Sequence, residues 1–282
     1  MTATFKLSAF GDEISNDLAE QLETLAELRI TQLDLRAAWG KNVTILNEAD
    51  IARIRQMCSA YGVTISCLAS PVGKSPLVDP IQFELGRLEN LMKVGNALGT
   101  HRVRIFSFYP PDISTNQHYD QHVPESADKL GRLAKLAEQE SFTLLLENEK
   151  GIVTDTPERC QAVLRTVNST ALRFAWDPAN FIQVGVAQPV DRGWDGLEAY
   201  ISYVHIKDAR LADGKVTPAG EGDGQVAALL NKLKAMGYQG VLSLEPHLQI
   251  AGHSGGFSGS EGMRVVAQAL RELMEQSGCQ EV

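Results

Sequence analysis

One complete strand–helix–strand unit can be read at residues 143–177, TLLLENEKGIVTDTPERCQAVLRTVNSTALRFAWD. Its apolar runs, TLLLEN (143–148) and LRFAWD (172–177), are nearly continuous, which is typical of parallel strands covered on both faces. Between them, Thr156 before Pro157 is typical of a helix start with proline at the first helical position. The segment therefore predicts a βαβ unit with parallel strands.

The same alternation recurs through the chain. Six further apolar runs have the length of a strand: KLSAF (6–10), TQLDLR (31–36), VTISCLA (63–69), RVRIFSF (102–108), YVHIKD (203–208) and GVLSLE (240–245). The segments between them carry helix signals. Asn47 with Asp50, and Asp79 before Pro80, indicate starts, and a glycine indicates each of three ends: Gly62, Gly99 and Gly237.

Eight such units without a Pro- or Ser-rich linker predict one α/β domain over residues 1–282, a single (β/α)8 TIM barrel. The alternative is a doubly wound open sheet, which would need a Gly-rich phosphate turn after its first strand. Here the turn is Phe10-Gly11-Asp12-Glu13, which is acidic and lacks the G-x-G-x-x-G spacing. The closed barrel is therefore favoured.

Composition argues against several classes of protein. The 282 residues are 44% apolar and 22% charged, close to globular averages, with a formal net charge of −9. An acidic chain without a Lys/Arg cluster repels a phosphate backbone, so we expect no nucleic-acid partner. No apolar run reaches the ~18 residues of a membrane helix, and the N-terminus does not resemble a signal peptide. Four scattered cysteines are expected to be free thiols. We expect a cytoplasmic protein without a membrane partner.

Four consecutive strands carry side chains that can bind metal. Glu147, Asp177 and Glu245 end the fifth, sixth and eighth runs, and His205 lies in the seventh. Taken singly, each carboxylate would also fit a solvated strand end or a turn, and His205 would also fit a core histidine. In a TIM barrel the carboxyl ends of the strands meet at one rim, where three carboxylates would repel one another unless a cation joined them. Three oxygen donors and an imidazole favour one divalent ion, Mn²⁺, Mg²⁺ or Co²⁺, with Zn²⁺ as the alternative.

Four motifs, in this order, resemble the sugar phosphate isomerase/epimerase group of xylose isomerase-like TIM barrels: ENE (147–149), WDPANF (176–181), YVHIKD (203–208) and LSLEP (242–246). The start AFGDEIS (9–15) is also similar. The resemblance covers most of the chain and implies the same four metal ligands. From the related ketose 3-epimerases it also implies that Glu147 and Glu245 are an acid/base pair, one on each face of the substrate.

The resemblance thus implies a divalent-metal-dependent isomerase or epimerase acting on a small sugar or polyol. Such a metal polarises carbonyl and hydroxyl oxygens as a Lewis acid. An adjacent C–H becomes more acidic, and a positioned glutamate removes its proton. Return of the proton from the opposite face gives epimerisation, and return to the neighbouring carbon gives isomerisation. The motifs leave open which substrate is used and whether it is phosphorylated.

Four further residues are candidates for substrate binding. Lys207 alternates with His205 across a strand, so it either shares the inward face or forms an outward salt bridge. Glu13, in the first loop, either closes the site or lies on the surface. The resemblance adds Asn180, where ketose 3-epimerases have a histidine, and Arg210, an approximate counterpart of their arginine beyond the seventh strand.

Other functions stay open at this point. A metal-dependent dehydratase or lyase begins with the same proton abstraction and then loses a β-hydroxyl. An endonuclease IV-like hydrolase needs further histidine ligands for three zinc ions, and strands two to four do not supply them. A glycosidase would use two carboxylates without a metal, and a non-enzymatic sugar-binding module would need no acid/base pair. The loop at 252–259 fits either a phosphate site at a helix start or a lid or plain turn. A homo-oligomer is also compatible with the sequence.

Overall fold

Eight parallel strands close into a barrel, because each pairs with the next and the eighth returns to pair with the first. The computed structural model describes residues 3–112, 117–248 and 258–282. The barrel strands are β1 (Ala3–Phe10), β2 (Gln32–Leu35), β3 (Thr64–Ala69), β4 (Arg102–Ile105), β5 (Thr143–Glu147), β6 (Leu172–Trp176), β7 (Ile201–Ile206) and β8 (Val241–Leu244). A short β9 (Cys279–Glu281) pairs in parallel with the N-terminal end of β1, at residues 3–5.

Helices connect the strands and cover the barrel. They are α1 (Leu18–Glu27), α2 (Glu48–Tyr61), α3 (Gln82–Leu98), α4 (Val123–Gln139), α5 (Pro157–Val167), α6 (Pro178–Gln183), α7 (Pro189–Leu197), α8 (Val226–Ala235) and α9 (Gly259–Gln276). A layer of buried leucine, isoleucine, valine and phenylalanine side chains fills the space between helices and strands. The predicted (β/α)8 barrel is confirmed, and the open doubly wound sheet is excluded because β8 pairs with β1.

Most helix signals in the sequence act as predicted. Asn47 and Asp50 form a reciprocal capping box at the start of α2, and the Thr156 side chain accepts a hydrogen bond from the Arg159 amide at the start of α5. Asp79 is the exception. Helix α3 begins at Gln82, and its N-cap is Ile81, which makes no side-chain cap. The prediction that Asp79 caps this helix is wrong.

Strand β4 is shorter than predicted and ends at Ile105. The amides of Phe106 and Phe108 donate to the carbonyls of Val72 and Gly73, each at 2.8 Å, instead of continuing the barrel ladder. The residues after β4 are therefore tied to the loop after β3. Strand β7 likewise ends at Ile206, and Asp208 already belongs to a short hairpin with Thr217.

A buried polar layer lies inside the barrel. The Asp34 carboxylate accepts hydrogen bonds from the hydroxyls of Ser8, Ser243 and Tyr203. Burial raises the pKa of Asp34 above its ordinary value despite these bonds. Tyr203 lies two residues before His205, so both side chains share one face of β7. Their rings meet edge to face with centroids 5.8 Å apart, and the polar layer therefore supports His205 from below.

All four cysteines are buried and unpaired, as predicted: Cys58, Cys67, Cys160 and Cys279. Within the described ranges, no helix has the length and apolar character required to cross a bilayer.

Candidate metal centre and its cavity

Four predicted ligands meet at the carboxyl end of the barrel. Glu147 is the last residue of β5, Asp177 follows β6, His205 lies near the end of β7, and Glu245 follows β8. One ligand atom from each lies within 4.8 Å of the others, and all four residues are buried. The tertiary structure thus brings together side chains that are up to 98 positions apart in the printed sequence, counted from Glu147 to Glu245.

The donor atoms of this cluster fit a divalent cation. His205 Nδ1 lies 3.1 Å from Glu147 Oε1 and 3.7 Å from Glu245 Oε2, but neither contact has the geometry of a hydrogen bond. Asp177 Oδ2 is also buried without a hydrogen bond, although the Lys207 ammonium is 2.7 Å away. Buried polar atoms of this kind are rare unless a ligand completes them. Carboxylate oxygens with one imidazole are a donor set for Mg²⁺, Mn²⁺ or a related ion.

The surrounding charges set the ionisation of the ligands. Burial raises the pKa of Glu147, but His205 and Arg104 more than offset it and lower the pKa to about 2. Burial also acts against ionised Glu245, yet Lys207 and His247 hold its pKa well below the usual range. For Asp177 burial prevails and raises the pKa to about 7, although Lys207 acts in the opposite direction. Two of the three carboxylates are therefore ionised before any cation binds.

Cationic side chains pair with the carboxylates around the site. Within the described part of the chain, four lysine and arginine side chains form ion pairs with six carboxylates here: Arg36 with Asp12, Glu13 and Glu245, Lys74 with Glu149, Arg104 with Glu147, and Lys207 with Asp177. His205 lies 3.1 Å from Glu147, and His247 lies 3.0 Å from Glu245. A divalent cation would add to the positive charge that faces the ligand carboxylates.

Asn180 holds two of the ligands, Glu147 and Asp177, in place. The Asn180 side chain donates to Glu147 Oε1 at 3.2 Å and to the Asn148 carbonyl at 2.9 Å. Asp177 caps α6, because its Oδ1 accepts from the Asn180 amide at 2.9 Å. That bond turns Oδ1 toward the helix and leaves Oδ2 for the cluster.

A small cavity opens beside the cluster, with a volume of about 170 Å³. Glu245 belongs both to the cluster and to the cavity lining. Lys207, which pairs with Asp177 of the cluster, also lines the cavity. The remaining lining is Arg36, Asn42, Ala69, Pro71, Lys74, Arg104, Glu149 and His247. Larger hollows lie elsewhere, such as the groove of about 620 Å³ between α2 and α3, but they are far from the buried carboxylates and histidine in the fold. Among these cavities of the described residues, the cavity at the strand ends adjoins this cluster, through Glu245.

The four predicted substrate-binding residues have different positions. Lys207 lines the cavity. Asn180 is buried behind Glu147. Glu13 is also buried, 2.6 Å from Arg36, and supports that side chain instead of lining the cavity. Arg210 is exposed in the hairpin after β7, paired with Asp213 at 2.7 Å, and does not line the cavity, so its contact with substrate stays a prediction.

Eight of the ten residues that line the cavity were not predicted, among them Arg104, Lys74 and His247. Arg104 is buried and donates to Glu147 Oε2 at 2.8 Å, Lys74 lies in the loop after β3, and His247 is 3.0 Å from Glu245 Oε1. A signal existed for Arg104, because a charged residue stood inside the apolar run RVRIFSF. The predicted phosphate loop falls mostly within residues 249–257, outside the described residues. At its edge, Ser258 Oγ donates to Glu13 Oε2 at 3.3 Å.

Comparison with known proteins places the chain in a family. The family model described as xylose isomerase-like TIM barrel matches residues 25–273. An uncharacterized protein of Methanocaldococcus jannaschii, MJ1311, is 25% identical over 140 residues. That match covers 49% of this chain and 47% of the relative, so it spans about half of each.

Solved structures are similar in fold over nearly the whole chain. A D-psicose 3-epimerase from Clostridium cellulolyticum H10, solved with D-tagatose, has a TM-score of 0.72 at 13% identity and covers 97% of this chain and 98% of its own. The probable 3-DHS dehydratase AsbF from Bacillus anthracis has a TM-score of 0.71 at 16% identity, covering 96% and 98%. At these identities the likeness concerns the fold. Since the family model spans most of the sequence, the chain belongs to the xylose isomerase-like TIM barrel family.

Proposed function

We propose that this protein is a divalent-metal-dependent isomerase or epimerase of a small sugar or polyol. The observation that carries the proposal is the buried cluster of Glu147, Asp177, His205 and Glu245, whose donor atoms lie within 4.8 Å of one another. The buried His205 Nδ1, which lacks a hydrogen bond, supports the same reading. Mn²⁺, Mg²⁺ and Co²⁺ suit these ligands best, with Zn²⁺ as the alternative.

The chain's own residues would share the chemistry as follows. A bound divalent cation supplies Lewis acidity toward the carbonyl and hydroxyl oxygens of the substrate. One glutamate, Glu147 or Glu245, removes a proton from the carbon beside the carbonyl, and the other returns a proton from the opposite face. Both carboxyls have lowered pKa values, so either can accept the substrate proton, and the one that acts as the acid must first take up a proton from solvent. Asn180 and Arg104 hold the Glu147 carboxylate in position.

The second candidate is a metal-dependent dehydratase on the same site. It is favoured by the fold similarity to the probable 3-DHS dehydratase AsbF, at a TM-score of 0.71. Elimination needs the same proton abstraction, followed by loss of a β-hydroxyl, so the two reactions differ in product. An endonuclease IV-like hydrolase is disfavoured, because the described residues contain one group of this kind and no histidine cluster for two further zinc ions.

The metal requirement is tested by elemental analysis. Wild-type protein reloaded with Mn²⁺ after chelation should hold one ion per chain, whereas Asp177→Ala and His205→Ala should lose it and keep wild-type circular dichroism. Asp213→Ala, which removes an exposed carboxylate, is the matched control and should keep the ion. Full occupancy in both ligand variants would overturn the site.

The reaction class is tested with a panel of sugars in D₂O. Solvent deuterium in a carbon position of recovered sugar, abolished by chelation, is the expected result. A product that has lost water would favour the dehydratase. Turnover that survives chelation would instead favour a metal-independent hydrolase such as a glycosidase.

A further inference from the structure

We infer that the substrate of this site carries an oxyanion, a carboxylate or a phosphate, which Lys74 and Arg104 receive while its carbonyl end faces the ligand cluster. The inference rests on the proposed function, because it assigns a substrate class to the same site. It is carried by the charge and packing of the cavity wall.

The cavity wall is more cationic than the site as a whole. Four of its lining residues are cations and two are carboxylates, Glu149 and Glu245. The other carboxylates of the site lie behind this wall, and Asp12, Glu13, Glu147 and Asp177 do not line the cavity. A ligand inside the cavity therefore faces four ammonium or guanidinium groups and two carboxylates. Neutral sugar hydroxyls do not require such a wall.

Two of these cations are held on one aromatic ring. The Lys74 Nζ lies 4.1 Å and the Arg104 Cζ 4.6 Å from the centroid of Phe106. Cation–π contacts with one ring orient both charges. An anion that reached either group would add a charge-assisted hydrogen bond to it.

Both cations have donors to spare within the described residues. Arg104 is 5% exposed and uses NH1 for Glu147 and NH2 for the Ala69 carbonyl, but its Nε is buried without a partner. Lys74 donates to Glu149 Oε2 at 3.2 Å, which accounts for one of the three N–H groups of an ammonium. A buried unpaired guanidinium nitrogen is costly, and a ligand oxyanion is a suitable acceptor.

The backbone fixes Lys74 beside Arg104. Gly73 accepts a hydrogen bond from the Phe108 amide, and Val72 accepts one from the Phe106 amide, both at 2.8 Å. The loop after β3 and the residues after β4 are therefore joined through their backbones. As a result, the Lys74 side chain contacts the Phe106 ring, which Arg104 also contacts.

The test uses three matched ligands that differ at one carbon: D-glucose, D-glucuronate and D-glucose 6-phosphate. Their binding to Mn²⁺-loaded protein is measured by calorimetry, with metal content checked in each sample. At least one of the two anions should bind roughly 10- to 100-fold more tightly than glucose. Which anion has the larger advantage distinguishes a carboxylate site from a phosphate site.

Three variants decide whether Lys74 is responsible. Lys74→Gln should remove most of the advantage of the anions over glucose, and Lys74→Arg should keep it. Glu149→Gln, which removes the internal competitor, should tighten anion binding roughly two- to fivefold. Equal binding of all three ligands, or an advantage that Lys74→Gln does not reduce, overturns the inference.

The outcome is separable from that of the proposed function. Deuterium exchange into a neutral sugar without any anion advantage would leave the isomerase intact and overturn the oxyanion site. An anion advantage that depends on Lys74, in protein that binds no metal, would support the oxyanion site and overturn the metal-dependent reaction.

Discussion

Asn148 and Asp177 are joined by two hydrogen bonds that run in opposite directions. The Asn148 side-chain amide donates to the Asp177 carbonyl at 2.8 Å, and the Asp177 amide donates to the Asn148 Oδ1 at 2.9 Å. The pair links the end of β5 to the end of β6 at the point where each strand delivers a metal ligand. The spacing between Glu147 and Asp177 therefore depends on a neutral side chain that binds the Asp177 backbone and does not line the cavity.

Removal of this link should weaken metal binding. Side chains that orient metal ligands are typically worth about 10- to 100-fold in affinity, so Asn148→Ala should reduce Mn²⁺ affinity by that factor. Calorimetric titration with Mn²⁺ measures it. Asn231→Ala, which removes an amide from the exposed face of α8, is the control and should bind as wild type. Unchanged affinity in Asn148→Ala would show that the two strand ends hold their spacing without the link.

The two glutamates should be needed for turnover beyond their part in metal binding. Glu147→Gln and Glu245→Gln keep the side-chain shape and an oxygen ligand but cannot accept a proton. Each should lower kcat about 10²- to 10⁴-fold, and weakened metal binding would add to the loss. Exposed Glu89→Gln on α3 should have no effect.

Solvent exchange separates the two glutamates from each other. The variant that keeps the base on the first face should still exchange deuterium while failing to complete the inversion. Near wild-type turnover in either variant with metal bound would contradict a two-carboxylate mechanism.

Arg36 should contribute strongly to stability. Its guanidinium lies 2.7 Å from Asp12, 2.6 Å from Glu13 and 2.9 Å from Glu245, all of which are buried. Arg36→Met leaves three buried carboxylates without that partner, which should lower the free energy of unfolding by about 3–5 kcal/mol. Arg210→Met breaks an exposed pair and should cost about 0–1 kcal/mol. Urea denaturation of metal-free protein compares them, and equal midpoints for the two variants would refute the prediction.

Gly73 should not tolerate a side chain. Its φ is +82°, and an added Cβ would lie 2.0 Å from the Phe106 carbonyl oxygen, which is backbone and cannot move aside cheaply. Gly40 has a similar φ of +71° but open space around it. Gly40→Ala should therefore cost about 1–2 kcal/mol from backbone strain alone. Gly73→Ala should cost about 1–3 kcal/mol more, because it also forces the two loops apart. Thermal and urea unfolding of both variants provide the comparison, and equal losses would exclude the steric contribution.

The limits of sequence reasoning are clearest in strand β4. The apolar run RVRIFSF predicted a strand over 102–108, and the structure ends it at Ile105. Hydropathy reports that Phe106 and Phe108 are buried, but it does not report which backbone they bond, and here they bond the loop at Val72 and Gly73. Asp79 failed as a cap for a similar reason, since the local Asp-Pro pattern does not include the turn that places the helix start at Gln82.

The sequence alone determined the barrel and its four ligand candidates. Strand–helix alternation is a local, periodic signal, and an ionisable residue at the end of each apolar run is placed at the rim by the fold class. The cationic wall was decided by tertiary structure. Arg36 contacts Glu245 across 209 residues, and Lys74 contacts Glu149 across 75. Such pairings depend on barrel closure and on loop conformation, which bring distant side chains within Coulomb range, and no spacing along the chain encodes that distance.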